Sequence, residues 1–205
     1  MRYLAILILL FFLGCAENIN KVKVSENFKI DGGANLAILT FKSLGLPQSI
    51  GEKVAEKFSV EIVQSNKFKV IDRSNVKKIF EEIGFQANLD TVGGLDEKTR
   101  VKLKQAGAQY LMSGSIFAFD EKRRYEHGFV IYSKVHITAK LISIETGEVV
   151  WASEKLKESK AINAEEKKPK SIFNVEIPAK SAERLLDDIV SEMTDNILSK
   201  IEKKK

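Results

Sequence analysis

Cysteine, histidine, proline and long apolar runs are all scarce in this chain of 205 residues. The single cysteine, Cys15, permits no disulfide within the chain and no CxxC pair for zinc or thiol redox work. The two histidines, His127 and His136, form no HExxH pair, and there is no GxSxG elbow and no glycine-rich GKS/T phosphate loop. Zinc hydrolases, serine hydrolases and P-loop nucleotide enzymes are thereby disfavoured. An acid–base enzyme built from Asp and Glu alone leaves no such signature, so the non-enzymatic reading rests on the motifs that are missing. That reading calls for no cofactor and no metal. No apolar run reaches the roughly 20 residues needed to cross a bilayer as a helix.

Charge is abundant by contrast. There are 33 Lys and Arg against 28 Asp and Glu, a formal net charge of +5. Much of the excess lies in the runs Glu165–Lys170 and Lys203–Lys205. Like-charge runs of this kind read as solvated segments rather than a nucleic-acid groove, so no nucleic-acid partner is expected.

The amino terminus carries the sharpest signal. Arg2 precedes the apolar run Tyr3–Leu13, whose length is that of a signal-peptide core. Phe12-Leu13-Gly14-Cys15 then resembles the bacterial lipobox, in which the cysteine is acylated and becomes the first mature residue; Phe stands at the first place, where Leu is commonest. Lipidation explains why the only cysteine lies here. Residues 1–14 are therefore expected to be a lipoprotein signal peptide, 15–35 a lipidated tether, and 36–204 one folded domain. Ala16 and Glu17 are of the type that accompanies outer-membrane sorting.

Within the domain, period-two alternation from Phe129 to Leu141 predicts a half-buried strand, with Lys134, His136, Thr138 and Lys140 on its polar face. The phase slips at Leu141–Ile142, which predicts a bulge or cover on both faces. Glu145-Thr146-Gly147-Glu148 makes a turn, and Val149–Ala152 runs back as the second arm of a long hairpin. Leu36–Lys42 and Tyr110–Phe119 read as strands covered on both faces, and Phe68–Ile71 as a short strand near an edge. Small residues at Ser113-Gly114-Ser115 imply a close approach of another element. Helices are expected after Pro47 (stripe Ile50, Val54, Phe58, Ile62), after Asp72-Arg73-Ser74 with Ser74 as cap (Val76, Ile79, Phe80, Ile83), over about Asp96–Gln105, and from about Ser181 (Leu185, Ile189, Met193, Ile197). Asp120–Gly128 reads as a charged turn and Glu158–Phe173 as a loop. His136 is expected to be exposed or second-layer rather than catalytic, and Asp72 and Arg73 to be a capping acid and a surface cation.

The order Leu36–Phe41, Phe68–Arg73, Gly107–Ile116 and Ile144–Trp151 resembles the curli-secretion channel lipoprotein (CsgG-like) family. It is also similar to related periplasmic lipoproteins that activate peptidoglycan synthases and to amino-terminal domains of periplasmic translocation proteins. The resemblance implies an α/β domain with helices packed on a mixed sheet, at the periplasmic side of a membrane. It implies an envelope protein as partner and allows a homo-oligomer. The family's channel inserts two amphipathic hairpins per subunit. Here the corresponding slots, Ile116–Lys134 and Ser153–Lys180, are charged and lack the alternation that lipid-facing strands require. The expectation is thus a lipid-anchored binding or assembly module, with a curli-type secretion channel as the alternative.

One prediction follows from the lipobox alone. Each buried methylene contributes about 0.8 kcal/mol, so several acyl chains on Cys15 hold a protein at a membrane essentially permanently. Cys15→Ala should release the mature domain from the membrane fraction or leave the precursor uncleaved. An unmodified Cys15 in the mass spectrum of the mature protein would refute the anchor.

Overall fold

The computed structural model describes residues 18–25, 30, 32–82, 95–124, 128–163 and 176–201. Its centre is strand β6 (Val130–Ser143), on which Ser133, Val135, Ile137, Ala139 and Leu141 are buried while Lys134, His136, Thr138 and Lys140 are half-buried. The period of two therefore sorts side chains into a core row and an open row. Antiparallel neighbours flank β6 on both sides: β5 (Tyr110–Arg123) and β7 (Val149–Lys160). β2 (Ala34–Ile38) pairs parallel to β5, and β4 (Phe68–Val70) parallel to β2 at the far edge. The two-residue β3 (Lys42–Ser43) continues alongside β5, and β1 (Ile19–Val24) closes the other edge against β7. The result is a mixed seven-stranded sheet in the order β1-β7-β6-β5-β2-β4. A separate ribbon joins β8 (Ile162–Asn163) to β9 (Glu176–Ile177).

Two helices cover the face that bears the core row. α1 (Gln48–Gln64) buries Val54, Ala55, Phe58 and Ile62. α4 (Ala182–Leu198), capped by the Ser181 hydroxyl accepting from Arg184 N, buries Leu185, Leu186, Ile189, Val190, Met193 and Ile197. Trp151 belongs to this core, and its indole N–H donates to Asn196 Oδ1 at 2.8 Å. α2 (Arg73–Glu82) and α3 (Glu97–Gln105) lie on the opposite face, where Val76, Phe80 and Leu103 meet Ala37, Leu111, Ile142 and Ile144. The mixed α/β architecture expected from the sequence is the one observed.

The slip at Leu141–Ile142 is a bulge, with Leu141 opposite Trp151 and Ile142 opposite Val149. It hands Leu141 to one core and Ile142 to the other. Gly114 sits where a close approach was expected: a Cβ there would lie 2.1 Å from the Thr138 carbonyl oxygen and 2.3 Å from the Phe41 ring. Gly147 holds φ +77° in the β6–β7 turn, a conformation side chains rarely adopt.

Five expectations need correction. The stretch taken as a tether contains β1, and Ile30 within it is fully buried and bridges Ile201, so the folded unit begins before Leu36. Unpaired amides on β7 favour another strand there, and Val24 packs against the main core. Strand β5 runs into the expected charged turn as far as Arg123, and β7 runs into the expected loop as far as Lys160, because ladder pairing with β6 tolerates polar residues on an open face. The alternation fails at the start of β6, where Val130 is buried rather than Ile131; a second irregularity, with Arg123 opposite Val130 and Lys122 opposite Tyr132, shifts the phase. The cap of α2 is Asp72, whose Oδ1 accepts from Ser74 N at 2.8 Å, and Ser74 is inside the helix. Cys15, His127, Ile83, Gly93-Gly94 and the run Glu165–Lys170 lie outside the described residues.

Truncating Trp151 removes a buried indole and its hydrogen bond, so Trp151→Ala should cost on the order of 3–5 kcal/mol in denaturant unfolding. Gly114→Ala should also be strongly destabilising, because its clash is partly with backbone. Lys140→Ala on the open row should change stability by less than about 1 kcal/mol.

Candidate functional site

Among the described residues, no helix covers the outer face of β1, β7, β6 and the distal half of β5. α2 and α3 shield only the end of that face around Ala37, Leu111 and Ile142. The exposed part is a shallow trough of about 610 Å³ running across five strands. Lys21 and Lys23 come from β1, Lys42 from β3, and Lys140 from β6. Glu154 on β7 lies among them, and Thr40, Ser115, Thr138 and Phe117 complete the lining.

The charged groups are held by rungs of the ladder. Lys21 is directly opposite Glu154, and Lys134 directly opposite Glu158. Glu154 receives Lys21 Nζ at 3.4 Å on one oxygen and lies 3.0 Å from His136 Nε2 on the other. Glu158 receives Lys134 Nζ at 3.1 Å and the Tyr132 hydroxyl at 3.2 Å. The hydrogen bond with His136, then the charge and hydrogen bond of Lys21, hold the Glu154 carboxyl below the ordinary carboxylate range. The hydrogen bond from Lys134 does the same for Glu158. Both pairings are cross-strand contacts that stiffen the platform without closing it.

The largest apolar side chain lining this surface is Phe117. Ile116 pairs with Ile137 and Ala118 with His136, which leaves Phe117 as the extra residue of a bulge. The bulge turns Phe117 outward, so the residue is 46% exposed and its ring rests tilted on the His136 ring with centroids 4.9 Å apart. Bulges commonly re-aim a side chain next to a functional surface. An exposed aromatic supported from below and surrounded by polar groups is the composition of an interface anchor.

The sequence-designated residues fall in different places. His136 is on this face as a partner of Glu154, as its strand parity required. Asp72 caps α2, and hydrogen bonds from the Ser74 hydroxyl and then from the Ser74 and Asn75 amides hold its carboxyl below the ordinary carboxylate range. Arg73 does more than decorate the surface: it reaches Thr40 Oγ1 at 3.1 Å and Glu56 at 3.3 Å, tying α2 to α1. No group of three His, Cys, Asp or Glu side chains converges among the described residues. Nor is any described helix long and apolar enough to cross a membrane. Phe117 was missed because its role depends on a bulge, and the apolar run Ile116–Phe119 reads the same whether or not one is present.

The profile of one protein family, described as peptidoglycan-synthase activator LpoB, matches residues 50–156, just over half of the chain. No curated protein matches in sequence. Among solved structures, the PelC dodecamer from Paraburkholderia phytofirmans is similar at TM-score 0.52 and 10% identity, covering 91% of this chain and all of that one. Its L103M form gives 0.50 at 12% identity, over 88% and 96% of the two chains. The LpoB C-terminal domain from Escherichia coli aligns at 15% identity and TM-score 0.42, over 62% of this chain and 84% of that one. The PelC likenesses support the fold.

The platform carries a pH prediction. Glu158 titrates below its ordinary value of 4.5 in the folded chain. Its pairing therefore adds stability that is complete above the unfolded-state value and is lost as pH falls through the lower folded-state value. Glu158→Gln should lower the denaturation midpoint at neutral pH and converge with the parent once the pH falls below the folded-state value. A pH-independent difference would show that the carboxylate's charge is irrelevant.

Proposed function

The chain belongs to the family of the peptidoglycan-synthase activator LpoB, and from that premise we propose that it is a non-enzymatic activator or assembly module of the bacterial cell envelope. It is held at the periplasmic face of the outer membrane through acylated Cys15. Its partner is a peptidoglycan synthase, which it meets through the open face of the sheet. The observation that carries this assignment is Phe117, an aromatic side chain driven by a bulge onto a strand surface that also presents Lys21, Lys23, Lys42 and Lys140. A rigid sheet with a preformed anchor binds without paying much ordering entropy.

The curli-type channel remains the other reading of the family likeness. It is disfavoured by what occupies the first hairpin slot: Asp120, Lys122, Arg123 and Arg124 are exposed at or near the tip of a ladder that belongs to the main sheet. Strands facing lipid need apolar residues at alternate positions.

The test is a binding titration of the purified chain against a peptidoglycan synthase, read together with the synthase's glycan polymerisation rate. Phe117→Ala should weaken binding by more than about 2 kcal/mol, roughly thirtyfold, and abolish stimulation while leaving the fold intact. Unchanged stimulation by Phe117→Ala would move the site off this face. Stepwise conductance in planar bilayers would favour the channel.

A further inference from the structure

Strand β1 has a consequence for where the protein stands. Only Ala16, Glu17 and Asn18 separate Cys15 from Ile19, the first residue of β1. Four residue steps at about 3.3–3.6 Å reach at most about 14 Å. Ile19 is opposite Leu156, and β7 runs on for four further residues to Lys160, about 13 Å at the rise of a strand. The end of the sheet at Lys160 therefore lies as far beyond Ile19 as Cys15 can extend. An acyl group on Cys15 therefore leaves that end of the sheet within reach of the lipid surface.

The chemistry of that end suits such a position. Lys122, Tyr132 and Lys160 form one rung across three strands. Arg123 and Arg124 follow Lys122 on the same tip, with Arg123 also held by Glu121 at 2.6–2.7 Å and Arg124 over the Phe129 ring at 5.1 Å. Beside them the β8–β9 ribbon is fastened to the start of β6 by Ala161 N to Ile131 O at 2.9 Å and Ala179 N to Val130 O at 2.8 Å. Its two directly opposed isoleucines, Ile162 and Ile177, are 47% and 57% exposed. Basic side chains beside a small exposed apolar pair make the pattern of a surface that rests on an anionic leaflet, cations at the phosphates and apolar groups at the acyl boundary.

We propose that this end of the sheet, with Lys122, Arg123, Arg124, Lys160, Ile162 and Ile177, is a membrane-seating surface for a bilayer with anionic headgroups. It rests on Cys15 being the anchor and does not depend on which protein binds the open face. The strands then stand along the membrane normal, and the Phe117 face looks sideways, parallel to the bilayer. A partner must present its own binding element within a domain's height of the lipid surface.

The experiment imposes the anchor chemically, so that failure of acylation in the cell, read by the mass of Cys15, is kept apart from failure of the seat. The mature chain beginning at Cys15 is coupled through its single thiol to a maleimide lipid in phosphatidylglycerol–phosphatidylethanolamine vesicles containing brominated acyl chains. Ile162→Trp places a fluorophore on the proposed seat, and Val149→Trp places one at the opposite end of β7, where Val149 is 41% exposed. Bromine quenching should be several-fold stronger for Ile162→Trp than for Val149→Trp. Adding Lys122→Glu, Arg124→Glu and Lys160→Glu, with the fold checked by circular dichroism, should remove most of that difference. Equal quenching of the two variants, or quenching at position 162 that the charge reversals leave unchanged, would overturn the proposal.

Discussion

Everything in this molecule is organised by the ladder that β6 makes with β5 on one side and β7 on the other. Backbone pairing holds three long antiparallel strands in register, and the alternation of β6 then assigns each side chain to one of two surfaces. Val135, Ile137, Ala139 and Leu141 go to the helices, whereas Lys134, His136, Thr138 and Lys140 go to the open side. A register slip of a single residue would exchange the two sets, burying lysines and exposing the core. Burial of the apolar row is what forbids that slip. The irregularities occur where one row has to change partners: Leu141–Ile142 switches the strand from one core to the other, and Phe117 steps out of β5.

The helical layer is fixed to the ladder by polar contacts as well as by apolar packing. Asn196 of α4 accepts from Trp151, and the Ala182 amide at the start of α4 donates to Glu121 Oε2 at 2.8 Å. Lys155, nearly buried on the core face of β7, donates to Glu192 at 2.7 Å, and Lys157 pairs with the other oxygen. Burial pushes the Glu192 carboxyl up, but the hydrogen bonds from the two lysines outweigh it and the net shift is downward. Such a pair is weak evidence for added stability, since desolvation offsets most of the attraction. Its effect is geometric: removing either partner would strand a charge, so α4 is held to one position along the sheet.

The open face and the basic end share that frame and divide it by direction. The open face, with Phe117 on its bulge, looks out along the normal to the sheet and suits a folded partner. The basic end, with the paired isoleucines of the β8–β9 ribbon, lies along the strand axis and suits a lipid surface. Because both are built on the same three strands, seating the end would orient the face. Acylation of Cys15 would raise the domain's effective concentration for partners at the same membrane, at the expense of reach.

Much was legible in the sequence because it is encoded locally. Period two along Ser133–Leu141, the slip after Leu141, the turn at Gly147 and the i, i+4 stripes of α1 and α4 each depend on neighbours only a few residues away. Tertiary structure decided the rest. Whether Ile19–Val24 would be a tether or a strand depended on the free edge of β7, more than 125 residues away in sequence. How far β5 and β7 run into charged segments depended on pairing with β6, since open-face polar residues carry no apolar signal. That Phe117 points outward depended on a register shift against His136, and that the basic tip lies at the end of the sheet where β1 begins depended on the β1–β7 register. Propensity and periodicity record which face a residue prefers; only long-range pairing determines which strand lies beside it.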